Sequence, residues 1–159
     1  MSRRFSVCFG IAAFVVLALG VGVMAADSNI GTWKLNLAKS KYSPGPAPKS
    51  QTLKIEAWGT DGVTYTSDGT DSTGKPTHAE FQAKYDGKFV PFKGNPDADM
   101  LSYKRIDANT IVSMTQLAGK PTLTSTAVVS ADGKTRTLTQ TGKNAQGQTV
   151  NNVLVYEKQ

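Results

Sequence analysis

The chain has 159 residues, a formal net charge of +6, 19% charged residues and one cysteine, Cys8. That length supports a single core, and no composition shift marks a second domain. The lysines stand singly instead of in a basic run interleaved with aromatics, so the electrostatic footprint of a nucleic-acid binder is missing.

The first segment, MSRRFSVCFGIAAFVVLALGVGVMAAD, sets Arg3 and Arg4 before an apolar run that ends in small residues at Val23-Met24-Ala25. This is the tripartite order of a secretory signal. Residues 1–25 are expected to be removed, leaving residues 26–159 as one exported domain, periplasmic or secreted. The apolar run approaches the ~20 residues of a spanning helix, but Gly20 and Gly22 weaken its last turns. Cleavage would remove Cys8 and both arginines, bringing the net charge from +6 to +4. No thiol would remain for a disulfide, a metal site or a nucleophile.

Beyond the leader, short segments of alternating apolar and polar residues replace any long helical pattern. The first, GTWKLN, is a predicted strand over 31–36, with Trp33, Leu35 and Leu37 on one face. The stretch LAKSKYSPGPAPKS then reads as a loop or lid. Pro44, Gly45, Pro46 and Pro48 bar ladder pairing there, and 37–41 has room for one helical turn.

Further strands are predicted over 51–58, 62–67, 77–85, 88–92, 100–106, 110–117, 122–130, 135–142 and 149–157. Leu53, Ile55 and Ala57 share one face of their strand; Ala79, Phe81, Ala83 and Tyr85 share one face of theirs. TDGV, YDGK, DAN, AGKP and ADGK supply the Asp, Asn or Gly that hairpin turns need. The rhythm is that of an all-β, antiparallel up-and-down meander of about eight to ten strands. A long meander escapes its free edges by closing into a barrel.

The residues of GTWKLN, Gly31 and Trp33 above all, resemble the Gly-x-Trp signature of the calycin barrels, the lipocalins and intracellular fatty-acid-binding proteins. LVYEK at 154–158 resembles the closing strand of the latter. The chain is also similar to small exported bacterial proteins that carry GTWKLN, a Pro-rich linker and GNPDAD, which are lipocalin-like. The resemblance implies a lipocalin-like barrel in which Trp33 plugs the closed end beneath an arginine from a late strand. Arg136 is the first candidate for that arginine and Arg105 the second. Fatty-acid-binding proteins hold a carboxylate with Arg-x-Tyr on the last strand; here the matching residues are Leu154-Val155-Tyr156, and the arginine is missing.

Catalytic signatures are absent. The one histidine, His78, stands beside Glu80 on a polar strand face and reads as a solvated pair; a catalytic zinc would need a third ligand. Asp97 and Asp99 in NPDAD lack the count and spacing of a calcium loop. No nucleophile elbow or phosphate loop is present. An enzyme, a metal and a cofactor are therefore not expected. The distinctive apolar feature is an aromatic set, Trp58, Tyr65, Phe81, Tyr85, Phe89, Phe92 and Tyr103, joined by Tyr156, which a barrel would place on a pocket wall. The expected function is that of a monomeric barrel binding or shielding a small apolar or amphipathic ligand in the cell envelope. The alternative is a filled barrel that serves as a structural or interaction module.

Overall fold

The computed structural model describes residues 27–159. The predicted leader lies outside the described residues. The strands are β1 (Gly31–Leu35), β2 (Ser50–Ala57), β3 (Gly62–Thr70), β4 (Pro76–Lys84), β5 (Asp86–Pro91), β6 (Met100–Arg105), β7 (Thr110–Leu117), β8 (Lys120–Val129), β9 (Thr135–Lys143) and β10 (Thr149–Lys158). A short 3-10 turn, Leu37–Lys39, follows β1. No helix among the described residues is long and apolar enough to cross a membrane.

All ten strands form one sheet in the order β4-β3-β2-β1-β10-β9-β8-β7-β6-β5. The first and last strands meet: β1 pairs antiparallel with β10, setting Trp33 opposite Lys158 and Leu35 opposite Tyr156. Each further hairpin also pairs antiparallel, so the meander curls into a nearly closed barrel. Its two edges, β4 and β5, are consecutive in the chain. The gap between them is spanned by paired hydrogen bonds between Glu80 and Lys93, both N···O distances being 3.0 Å. Gly94 makes this crossing possible, since at φ +75° a Cβ there would fall 2.1 Å from the His78 carbonyl oxygen.

Inward-facing side chains sort into two layers along the strands. At one end Trp33, Leu53, Ile55, Val63, Ala83, Ile111, Ala127 and Val129 are buried in a contiguous core. Further along the same strands the inward positions turn polar or small: Ile111 gives way to Ser113 and Thr115 on β7, and Val129 and Ala127 to Ser125 on β8. Large aliphatics fill the closed end, while small and polar side chains leave the other end hollow.

The local differences from the sequence expectations follow from turn chemistry. Leu37 does not share the buried face of Trp33 and Leu35; it is 41% exposed because the chain leaves β1 for the 3-10 turn. Ala57 is exposed at the end of β2. β3 continues to Thr70, since Asp71 Oδ1 accepts from the backbone N–H groups of Thr73, Gly74 and Lys75 and so tightens the hairpin.

Candidate functional site

The hollow end of the barrel encloses a cavity of about 500 Å³. Its mouth is framed by Pro44, Gly45, Pro46 and Pro48 on one side and by the 95–98 turn on the other. The Pro-rich segment is therefore a rim of the cavity. It is tied to β10 by Ser43 N–H donating to Asn152 Oδ1 at 2.9 Å and by Asn151 N–H donating to the Ser43 carbonyl at 2.7 Å.

Aromatic side chains from β3, β4 and β6, with Phe92 just after β5, build one wall. Tyr65 lies opposite Phe81 in the β3–β4 ladder, and their rings stack with centroids 4.6 Å apart. Phe92 meets Phe81 edge-on at 5.4 Å, and Tyr103 tilts against it at 5.2 Å. Burial raises the Tyr65 phenol to about 12, with the charge of Arg136 acting in the opposite sense.

Five of the eight aromatic candidates, Tyr65, Phe81, Phe92, Tyr103 and Tyr156, line the cavity. The other three do not. Trp58 follows the last residue of β2 and is 40% exposed, its ring set over Gly62. Phe89 pairs with Ser102 on the outer surface and is 38% exposed, while its neighbour Val90 takes the inward position opposite Leu101. Successive strand residues point to opposite faces, so Phe89 and Phe92 cannot share one. Tyr85 faces inward but at the closed end, where its hydroxyl donates to Asp27 Oδ2 at 2.6 Å.

The cavity floor is organised by a residue that the sequence reading passed over. Asn29 is 2% exposed. Its carbonyl accepts from Trp33 Nε1 at 3.0 Å, its Oδ1 accepts from Arg136 Nε at 3.1 Å, and its Nδ2 donates to Tyr103 Oη at 3.0 Å and Tyr85 Oη at 3.3 Å. The signal that could have found it is its place two residues before the Gly-x-Trp strand, where a buried indole N–H needs an acceptor.

Gly31 and Trp33 lie outside the cavity lining, and the cation over the indole is not the one expected. Lys158 lies over the Trp33 ring with Nζ 4.9 Å from its centroid. Gly31 has φ +142°, and a Cβ there would fall 2.6 Å from Lys158 Cε, so the glycine of the signature leaves room for the lysine stem. Arg105 stacks on Tyr85, 3.7 Å from the ring centroid, and pairs with Asp27. Arg136 is instead held by Asn29 Oδ1.

Arg136 instead lines the cavity at 3% exposure. It stands directly opposite Tyr156 in the β9–β10 ladder. An arginine thus stands on the strand next to the one that lacks it, level with the last-strand tyrosine. Its Nη1 is buried and has no hydrogen-bond partner among the described residues. Tyr156 donates to Gln51 Oε1 at 2.7 Å, and Gln51 Nε2 donates to Ser67 Oγ at 2.8 Å, so this flank is closed on itself.

The acidic and histidine candidates lie elsewhere. His78 is on the outer surface between Asp68, 2.7 Å from Nδ1, and Glu80, 3.7 Å from Nε2. The hydrogen bond to Asp68 is the main cause of its raised pKa. Two carboxylates on opposite ring nitrogens cannot converge on one ion, and no group of three or more metal-capable side chains occurs among the described residues. Asp97 and Asp99 accept from the backbone N–H groups of Ala145 and Ala118, which accounts for both carboxylates of NPDAD.

No protein-family model and no curated protein matches the sequence. Among solved structures, the chain is similar to the wild-type fluorescent protein UnaG, at 18% identity and TM-score 0.55 over 83% of this chain and 98% of that one. It also overlaps zebrafish ileal bile acid-binding protein complexed with cholic acid, at 14% identity and TM-score 0.48 over 83% of this chain and 99% of that one. The likeness to UnaG is one of fold, a nearly closed antiparallel β-barrel.

Proposed function

We propose that this chain is an exported, monomeric, non-enzymatic barrel that holds a small amphipathic molecule in its cavity. The apolar body of the molecule lies on the Tyr65, Phe81 and Phe92 wall, and its acceptor or anionic group meets Arg136. The observation that carries this reading is the buried guanidinium itself. An ionised side chain this far from water is costly unless its donors are filled. Asn29 takes only Nε, and Nη1 has no hydrogen-bond partner among the described residues.

Other features support the same reading. A cavity of about 500 Å³ lies within the range of small-molecule sites. Among the described residues its lining holds no histidine and no cysteine, and its two carboxylates, Asp71 and Asp97, are occupied by backbone N–H groups, which favours binding over acid-base or thiol chemistry. Ring closure leaves little free strand edge for a second copy, in keeping with a monomer. Export rests on the leader sequence.

The test is capture of anilinonaphthalene sulfonate, a fluorescent aromatic anion. Wild-type protein is expected to bind it stoichiometrically. Arg136→Met should weaken that binding at least tenfold, about 1.4 kcal/mol, while keeping affinity for an uncharged aromatic probe. Failure of the wild type to take up either probe would leave only the structural or interaction module.

A further inference from the structure

The cavity has a second feature that the Arg136 contact does not use. Asn152, Gln140, Ser125 and Ser113 all line it, on the consecutive strands β10, β9, β8 and β7. The ladders place them at one level: Asn152 opposite Gln140, Gln140 opposite Ser125, and Ser125 opposite Ser113. Four inward-facing polar side chains therefore form a row across the wall, about 14 Å long at ~4.8 Å per strand.

The contacts within this row are long, although Asn152 Oδ1 also accepts from Ser43 N–H at 2.9 Å. Asn152 Nδ2 donates to Gln140 Oε1 at 3.3 Å, and Gln140 Nε2 donates to Ser125 Oγ at 3.4 Å. Both lie at or beyond the long edge of ordinary N–H···O bonds. The other polar flank, Tyr156–Gln51–Ser67, is closed at 2.7 and 2.8 Å. An amide and a serine hydroxyl have more donors and acceptors than these long contacts occupy. Gln140 and Ser125 can turn toward a guest at little cost, whereas the tight flank cannot.

The row also faces the aromatic wall. Around the strand order, β9 lies five steps from β4, which carries Phe81, and β8 five steps from β3, which carries Tyr65. In a ring of ten these are diametrically opposite. One side of the cavity offers flat stacked rings and the other a line of hydrogen-bonding groups.

We infer that the guest is a rigid, flat ring compound with hydrogen-bonding groups along one edge, and not a simple alkyl chain. The inference rests on the proposed binding role and narrows its ligand class. A ring stacked beside Tyr65 and Phe81 directs its far edge at Gln140 and Ser125. An alkyl chain in the same place would remove water from the row and return no hydrogen bond. A site built around such groups rejects the analogue that lacks them far more strongly than it rejects a change of one methylene.

The experiment compares coumarin carboxylate, its dihydroxy derivative and decanoate as competitors of anilinonaphthalene sulfonate. The first two share ring system and carboxylate and differ only in the hydroxyls. For the wild type, the dihydroxy compound should compete at least tenfold better than its parent and better than decanoate, although it is the least apolar of the three. In Gln140→Leu/Ser125→Ala that advantage should vanish while the parent binds as well or better; thermal melting of the variant reports that it folds, and Gln140→Asn/Ser125→Thr should retain part of the advantage if the double variant does not fold. A parent compound or decanoate that binds the wild type as tightly as the dihydroxy compound overturns the inference. So does an advantage that survives in the variant. If the fluorescent anion binds but none of the competitors displaces it, the ring-edge inference falls and the cavity reading stands; if neither the anion nor an uncharged aromatic probe binds, both fall.

Discussion

Arg136 Nε donates to Asn29 Oδ1 at 3.1 Å across 107 positions of chain, so the segment before the first strand and the ninth strand share one buried polar contact. The same amide reaches Tyr103 and Tyr85, and the same residue's carbonyl receives the Trp33 indole N–H. Asn29 thereby joins the closed end of the barrel to the floor of the cavity. Asn29→Ala would leave the guanidinium short of a further acceptor and the two phenols short of a donor. The expected loss is about 3 kcal/mol, the scale of breaking a buried charged contact. Urea unfolding measures it, and an unchanged midpoint would show that Asn29 holds nothing.

Trp33 is fully buried, bonded to Asn29 and outside the cavity lining. Trp33→Ala should therefore destabilise the protein without any ligand, by roughly 3–5 kcal/mol for an emptied aromatic site. Trp33→Phe keeps much of the volume but loses the indole donor, and should fall between the two. A Trp33→Ala protein as stable as wild type that no longer captures a fluorescent probe would make the indole a ligand contact.

Alternation made the strands legible, and their number with them: ten emerge close to the predicted ranges because one wet and one dry face leave a period of two. Closure followed from Gly31-Thr32-Trp33 at one end and Tyr156 at the other. The interior was harder to read. Parity fixes that Ser125 and Gln140 face the same side as Ala127 and Leu138, yet which level of the barrel each occupies depends on register between strands, which no single strand encodes. The aromatic set misled at Trp58 and Phe89 for a related reason: hydrophobicity marks a residue as fit for burial, while strand end and parity decide whether it is buried. The position of Asn29 before the Trp33 strand hints only at its carbonyl acceptor; its side-chain role could not be read because those partners lie between 56 and 107 positions away.

β10 is the strand on which closure depends, since it pairs with β1 on one side and with β9 along nearly its whole length on the other. Deleting residues 151–159 would expose both neighbours as free edges and remove Leu154 and Tyr156 from the core. The truncated chain is expected to show no cooperative thermal transition. Retention of the wild-type midpoint would mean that the barrel is stable without its closing strand.

Export makes a separate prediction. Protein recovered from its producing cells should begin at Ala26 or Asp27, as the Val23-Met24-Ala25 end suits a signal peptidase. Asp27 accepts from the Tyr85 hydroxyl and pairs with Arg105, so the residue next to the predicted cut is already anchored at the closed end of the barrel. N-terminal sequencing decides the point; intact Met1 in washed membranes would show a retained anchor.

The buried phenols set how the protein responds to alkali. Burial raises Tyr42 and Tyr65 from the ordinary 10.0 to about 12, and Tyr85 and Tyr156 shift in the same direction. In the unfolded chain these groups begin to release protons near 10.0, whereas the folded chain keeps Tyr42 and Tyr65 neutral until about 12. Above 10 the unfolded state therefore binds fewer protons than the folded state, and stability falls as pH rises. Their contribution is fully present below pH 10.0 and is lost progressively as pH climbs to about 12. Urea midpoints measured upward from about pH 9 should decline across that window. Tyr42→Phe/Tyr65→Phe should make the decline shallower, because phenylalanine has no proton to release. A decline equally steep in that double variant would assign the alkaline response to other groups.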